Sequence, residues 1–243
     1  MIDAAGESFV GRRDNNEDSF RVRDDLGLYL VADGMGGHEG GEIASRLTAD
    51  ALTSFFESGD TLPEIDDHVL KVRMGSAIRG AVQEVEAKAT GDLIEMGTTL
   101  AALLIHERLA LVAHVGDSRV YRLRNAKIDC LTIDHSFLNE LDPERADELG
   151  ESLPEQFSAM VTRCIAANAN TQPELLVEET EEGDRFLLCS DGLTDVMSDS
   201  EIEELMVDNP LPADASSALI KAAFAAGSQD NITCVVVQIP PHK

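Results

Sequence analysis

The chain has 243 residues, 43% of them hydrophobic, and its 46 acidic against 19 basic side chains leave a formal net charge of −27. That is apolar material enough for a packed core and argues against wholesale disorder, while the charge offers no basic stripe to nucleic acid or to an anionic membrane. No apolar stretch reaches the length of a membrane span, and Met1-Ile2-Asp3-Ala4 has no basic region leading an apolar core, so a soluble, cytoplasmic protein is expected.

In chain order, segments 6–11, 18–23 and 27–32 have the length and composition of strands. After the Gly-rich loop 34–41 comes a predicted helix of about sixteen residues, with Ile43, Ala44, Leu47, Ala51 and Phe55 at helical spacing. A second helix is expected over 66–89, its stripe formed by Leu70, Met74, Ala77, Ile78, Ala81 and Val85. Four short apolar runs follow, 99–105, 109–115, 120–123 and 128–131, joined by tight connections that predict an antiparallel meander. Segment 135–165 is polar and expected to be mostly helical, punctuated by Pro143 and Pro154. Strands return at 174–178 and 185–190. Ser198-Asp199-Ser200-Glu201 fits a capping box opening a helix to about Val207. Pro212 begins another helix, with Leu219, Ala222 and Ala223 inward, and 231–239 is the closing strand. No linker or repeat interrupts the pattern, so residues 1–243 are expected to form one α+β domain with sheets between helical layers. Cys130, Cys164, Cys189 and Cys234 are widely spaced and are expected to be buried free thiols in a reducing compartment, neither a zinc site nor a disulfide framework.

The chemistry concentrates at strand ends. Apolar runs end in Asp33-Gly34, in Gly116-Asp117 and in Asp191-Gly192, while Asp230-Asn231 leads into the last strand. One Asp-Gly pair is commonly just a turn, because Asp bonds its own backbone and Gly accepts positive φ. Four such carboxylates in one domain can be brought together by a sheet. Gathered without basic partners they would repel one another unless a cation intervened. Hard divalent ions such as Mg²⁺ or Mn²⁺ take oxygen ligands of this kind.

Seven motifs stand in a familiar order. They are Arg13-Asp14-Asn15-Asn16-Glu17-Asp18, Val31-Ala32-Asp33-Gly34-Met35-Gly36-Gly37-His38, Gly97-Thr98-Thr99 and Val115-Gly116-Asp117-Ser118-Arg119. Leu131-Thr132-Ile133-Asp134-His135-Ser136, Ser190-Asp191-Gly192-Leu193-Thr194-Asp195 and Asp230-Asn231-Ile232-Thr233 complete the set. From Gly11 to about Val236 the chain resembles the metal-dependent, type 2C (PPM) Ser/Thr protein phosphatases, its bacterial members above all.

The resemblance implies a four-layer α-β-β-α sandwich of two antiparallel sheets flanked by helix pairs, with a flap segment at about 135–162. It implies two tightly bound Mn²⁺ or Mg²⁺ ions and a weaker third. Asp33 would bridge both ions, Asp191 and Asp230 would complete the first site, and the Gly34 carbonyl would serve the second. Glu17 and Asp18 would bind the second ion or orient its waters, and Asp117 with Asp191 would hold the third. Arg13 would bind phosphate, its planar fork suiting two oxygens. The implied reaction is hydrolysis of phosphoserine and phosphothreonine by a metal-activated water, with phosphoproteins and an opposing bacterial Ser/Thr kinase as partners and a monomer as the working form. A small-molecule phosphomonoesterase and a non-catalytic phosphoprotein-binding module on the same fold are the alternatives. Met35 stands where eukaryotic members carry His, so the general acid is unassigned. Ala166 replaces the usual bacterial Gly, and the flap matches poorly. That flap is acidic, with Glu140, Asp142, Glu144, Asp147, Glu148, Glu151 and Glu155 against Arg145 alone.

Overall fold

Alternation of buried side chains along the strands generates the layers. A computed structural model describes residues 2–36, 40–59, 66–141 and 160–240. One five-stranded antiparallel sheet has the order β1-β13-β12-β8-β9, built from Asp3–Phe9, Ile232–Gln238, Arg185–Cys189, Arg119–Arg124 and Lys127–Cys130. The other has the order β11-β7-β6-β3-β2, from Glu174–Glu179, Leu109–Val115, Leu100–His106, Leu28–Ala32 and Ser19–Arg23. On β3, Tyr29 and Val31 point between the sheets, where they meet Phe186, Leu188, Val235 and Val237 of the facing sheet. Leu28 and Leu30 point the other way, beneath helices α1 (Gly40–Glu57) and α2 (Asp67–Lys88). On the far side Leu187, Cys189, Cys234 and Val236 pack with the short helix α3 (Asp191–Thr194), α4 (Asp199–Asp208) and α5 (Pro212–Ala226). Three apolar layers between two sheets and two helical layers make the expected α-β-β-α sandwich.

Most predicted elements form within a residue or two of their expected ends. The capping box at Ser198 is made in full, its hydroxyl and the Glu201 carboxylate each serving the other's backbone. All six residues of the predicted α2 stripe are buried. Helix α1 differs: its fully buried face is Gly40, Gly41, Ala44, Ser45, Thr48, Ala49 and Leu52, and Ile43, Leu47, Ala51 and Phe55 are only partly covered. Small side chains let α1 lie close to the sheet, and its larger ones flank that contact. Ala222 is likewise only partly buried.

The meander is overturned. β6 pairs with β7 and β8 with β9, but β7 and β8 belong to different sheets. At Gly116 (φ +101°) the chain leaves one sheet for the other, a conformation that favours glycine. Strands buried on both faces carry no pattern that distinguishes a hairpin from such a crossing. A small third sheet, β10-β5-β4 (Ile165–Ala166, Gly97–Thr98, Gly34–Met35), was not anticipated. In the predicted helical segment, residues 135–141 form a bridge (Ser136 to Val161) and turns instead, while 142–159, most of the expected flap, lies outside the described residues, as does His38. Cys189 and Cys234 are buried free thiols, but Cys164 is half-buried and Cys130 exposed. Among the described residues no helix is long and apolar enough to cross a membrane.

Candidate metal centre

Four chain crossings at one end of the sandwich deliver the acids. Asp33 follows β3, where the chain passes into β4, and its backbone is held on both sides. Its N–H donates to Thr99 Oγ1 (3.0 Å), and its carbonyl accepts from Thr98 Oγ1 and Thr99 N (2.8 Å each). Thr99 Oγ1 also pairs with Ser118 Oγ at 2.7 Å, tying the Asp33 turn to the turn that presents Asp117. A Cβ on Gly34 would lie 2.2 Å from the Gly41 carbonyl oxygen and 2.5 Å from that of Glu17. Only glycine fits there, and its backbone lines the cleft bare.

Asp191 opens α3 after Ser190. The Ser190 hydroxyl donates to Asp18 Oδ2 (2.9 Å) and accepts from Thr233 N (3.0 Å). A Cβ at Gly192 would fall 1.9 Å from the Asn231 carbonyl oxygen, so the Asp191-Gly192 and Asp230-Asn231 turns lie directly against each other. Asn231 is the local clamp. Its side chain accepts from Glu17 N (2.8 Å) and donates to the carbonyls of Val10 and Asn15 (2.9 Å each). Asp230 Oδ2 accepts from Arg13 Nη2 at 2.5 Å.

The result is a cleft of about 430 Å³ lined by Arg13, Glu17, Asp33, Gly34, Asp117, Asp191 and Asp230, together with Asn15, Met35, Gly36, Thr99, Val161 and Asn231. Of the residues anticipated from sequence, only Asp18 is not on the wall. It lies beneath, 9% exposed, bonded to Ser190. Thr98, Thr99, Ser118 and Asn231 lie inside the quoted motifs, yet their roles become visible only through their hydrogen bonds.

Electrostatics distinguish this cleft from a set of turns. Burial, then the nearby charges of Asp18, Asp191 and Asp117, holds the Asp33 carboxyl well above the usual carboxylate range. Burial and the charges of Asp117, Asp195 and Asp230 push Asp191 up to about 8. Burial takes Asp18 and Asp117 to about 6 each. Among the described residues Arg13 is the one basic side chain on the cleft wall, and it is engaged by Asp230. Buried Oδ1 atoms of both Asp18 and Asp191 have no hydrogen-bond partner. Crowded, desolvated, acceptor-only oxygens with orphaned lone pairs fit hard divalent cations.

His135 lies off the cleft wall. Its Nδ1 accepts from Gly116 N (3.0 Å), bracing the Asp117 turn, and its ring stacks on His114 at 4.4 Å. Glu174 completes a triad with these two rings, but the Arg163 guanidinium already reaches His135 Nε2 (3.1 Å) and Glu174 (3.3 Å), supplying the positive charge a metal would bring.

The profile of the protein phosphatase 2C family matches residues 5–229. Among curated proteins, the chain is 40% identical to the serine/threonine protein phosphatase PstP of Mycobacterium tuberculosis over 235 residues, 93% of this chain and 43% of that protein. The chain thus spans less than half the length of that relative. It is 30% identical to the serine/threonine phosphatase stp of Listeria monocytogenes, covering 93% of this chain and 91% of the relative. The solved catalytic domain of PstP in complex with two manganese ions superposes with a TM-score of 0.84 at 34% identity, covering 99% of each chain. The Streptococcus agalactiae serine/threonine phosphatase superposes with a TM-score of 0.87 at 31% identity, covering 98% of this chain and all of that one.

Proposed function

The chain belongs to the protein phosphatase 2C family, and from that premise we propose that it is a metal-dependent phosphatase of phosphoserine and phosphothreonine in proteins, opposing a bacterial Ser/Thr kinase as a cytoplasmic monomer. The observation that carries the reading is the convergence of Asp33, Asp191 and Asp230 on one cleft whose wall, among the described residues, offers no unpaired cation to neutralise them. The names of the relatives favour phosphoproteins over a small-molecule phosphomonoester. A complete acidic set favours an enzyme over a binding module, because a binder gains nothing from carboxylates that repel one another.

In this reading Asp33 would bridge two Mn²⁺ or Mg²⁺ ions, Asp191 and Asp230 would complete one site, and the Gly34 carbonyl with Glu17 would serve the other. Asp18, beneath the wall and bonded to Ser190, would orient the waters of that second ion. Asp117, with Asp191, would hold a weaker third ion. When bound, the ions supply a water of lowered pKa as nucleophile and offset charge on the phosphoryl oxygens. The chain's own contribution is to aim the carboxylates: the Thr98 and Thr99 hydroxyls hold the Asp33 backbone, the Ser190 hydroxyl holds Asp18, and the Asn231 amide ties the Asp230 turn to Glu17, Val10 and Asn15. Arg13 is 57% exposed at the cleft mouth, paired with Asp230 on one edge of its fork, and its remaining N–H groups can take phosphate oxygens.

A phosphothreonine peptide should be hydrolysed with Mn²⁺ or Mg²⁺ and not in excess chelator. Undiminished turnover in chelator would sink the metal-dependent reading. Arg13→Ala should raise KM more than it lowers kcat, because the guanidinium grips substrate and transition state alike. A change confined to kcat would make Arg13 a transition-state group instead.

A further inference from the structure

Over residues 68–83 the outer face of α2 carries cations and apolar side chains but no acid, in a protein that has 46 Asp and Glu. Together with the 171–175 segment that leads into β11, this face forms a groove of about 510 Å³. Its floor is apolar, from Ile78, Val82, Pro173 and Leu175, and Lys71 and Arg79 stand on its walls without an acidic lining residue. Neither cation makes an ion pair among the described residues; Arg79 donates only to Ser76 Oγ, on its own helix. The acid next in sequence, Glu174, is held away by Arg163 and His135. Val72 on the wall is 51% exposed, an apolar side chain left in water.

Gly75 is the second observation. It lies inside α2, where glycine is a poorer helix former than every residue except proline. No close contact demands it: the nearest atom to an added Cβ would be Arg79 Nη1 at 3.6 Å, an ordinary separation. What the missing side chain does is leave the groove open, since Gly75 is part of its lining. Glycine here costs helix propensity and leaves the apolar floor accessible from solvent.

We propose that this groove docks an acidic, leucine-type segment of the phosphoprotein substrate, remote from the phosphorylated residue. Carboxylates of that segment would pair with Lys71 and Arg79 while its aliphatic side chains cover Val72 and the floor beside Gly75. An anionic partner drawn to a chain of net charge −27 must be recognised locally, and this acid-free face is a place where that can occur. The apolar floor favours a peptide over a nucleic acid, whose backbone would leave it empty. The groove is also joined to the catalytic end: Thr171 on its wall bonds the Cys164 carbonyl (2.7 Å), and the adjacent Ile165 pairs in β10 with Thr98, which holds Asp33. The substrate identity rests on the phosphatase reading, whereas the binding surface does not.

Two measurements therefore separate them. Anisotropy of a fluorescein-labelled peptide of alternating Glu-Glu and Leu-Leu pairs, titrated with the full chain at low salt, reads docking without catalysis. Binding should weaken about tenfold in a Lys71→Glu/Arg79→Glu variant. It should also weaken in Gly75→Leu, which fills the groove without lowering the melting temperature. The same peptide linked to a phosphothreonine substrate should lower KM at unchanged kcat, and every variant should hydrolyse p-nitrophenyl phosphate like the parent. Equal binding of a Glu-Ser or Lys-Leu peptide, indifference to the variants, or loss in the variants of binding to phosphatidylglycerol vesicles in place of the peptide would overturn the proposal.

Discussion

Asp191→Asn should reduce metal-dependent turnover by orders of magnitude and, in chelator, make the protein more stable than its parent. The two effects have one cause. Asp191 is pushed up to about 8 by burial and by Asp117, Asp195 and Asp230, and without a cation the fold carries that cost. Each unit of upward shift corresponds to about 1.4 kcal/mol, and one kcal/mol moves the melting temperature of a domain this size by about 2–4 °C. Asparagine keeps the shape and removes the charge, so the metal-free fold is relieved while the site loses a ligand charge needed to bind the ions and acidify water. Asp33→Asn should behave alike. Asp117→Asn, expected to touch only the weaker third ion, should leave both tight ions in place by isothermal titration. A destabilised Asp191→Asn protein in chelator would contradict this account and make Asp191 a structural residue.

The metal-free protein should lose stability as pH rises from 6.5 to 8, against the usual trend for a carboxylate-rich chain. Folded Asp191 titrates near 8, and Asp18 and Asp117 near 6, all against a reference value of 3.8. Between those values the folded state binds protons that the unfolded chain has released, so its stability falls with rising pH. His135 works in the opposite sense. Burial and neighbouring positive charge bring it down to about 4, so the folded state binds fewer protons than the unfolded one up to about 6.5. Above pH 6.5 the histidine contribution fades and the carboxylates dominate. Melting curves in chelator should therefore shift downward over that window. With Mn²⁺ the same curves should be flat or rising, because ions bind the deprotonated acids and their affinity grows with pH. A chelated protein whose melting temperature climbs from pH 6.5 to 8 would refute the carboxylate account.

Much of the centre is legible in the primary structure for a simple reason. Asp33 and Asp191 each follow a run of apolar residues long enough to be a buried strand, so their positions at the sheet's end follow from local pattern. Asp230 is placed the same way by the strand it precedes. The support beneath them is different in kind. Thr99, Ser118 and Ser190 act through hydroxyl bonds to residues far away in sequence, and a hydroxyl leaves no periodic trace. Asn231 reaches Val10 and Asn15 across the whole chain length. The strands β4, β5 and β10 have two residues each, too few for any alternation to register. The change of sheet at Gly116 escaped for another reason, since β7 is buried on both faces and gives no sign of which neighbour follows it.

The position of β13 has a consequence for how the protein comes into being. It follows every other described strand in sequence, yet it lies between β1 and β12 in its sheet, with Asp230 shortly before it. Until the ribosome has delivered it, β1 and β12 have no shared neighbour and the cleft lacks one of its walls. A chain cut before residue 232 therefore lacks the strand that joins β1 to β12 and holds the Asp230 turn, and it should show no metal-dependent turnover.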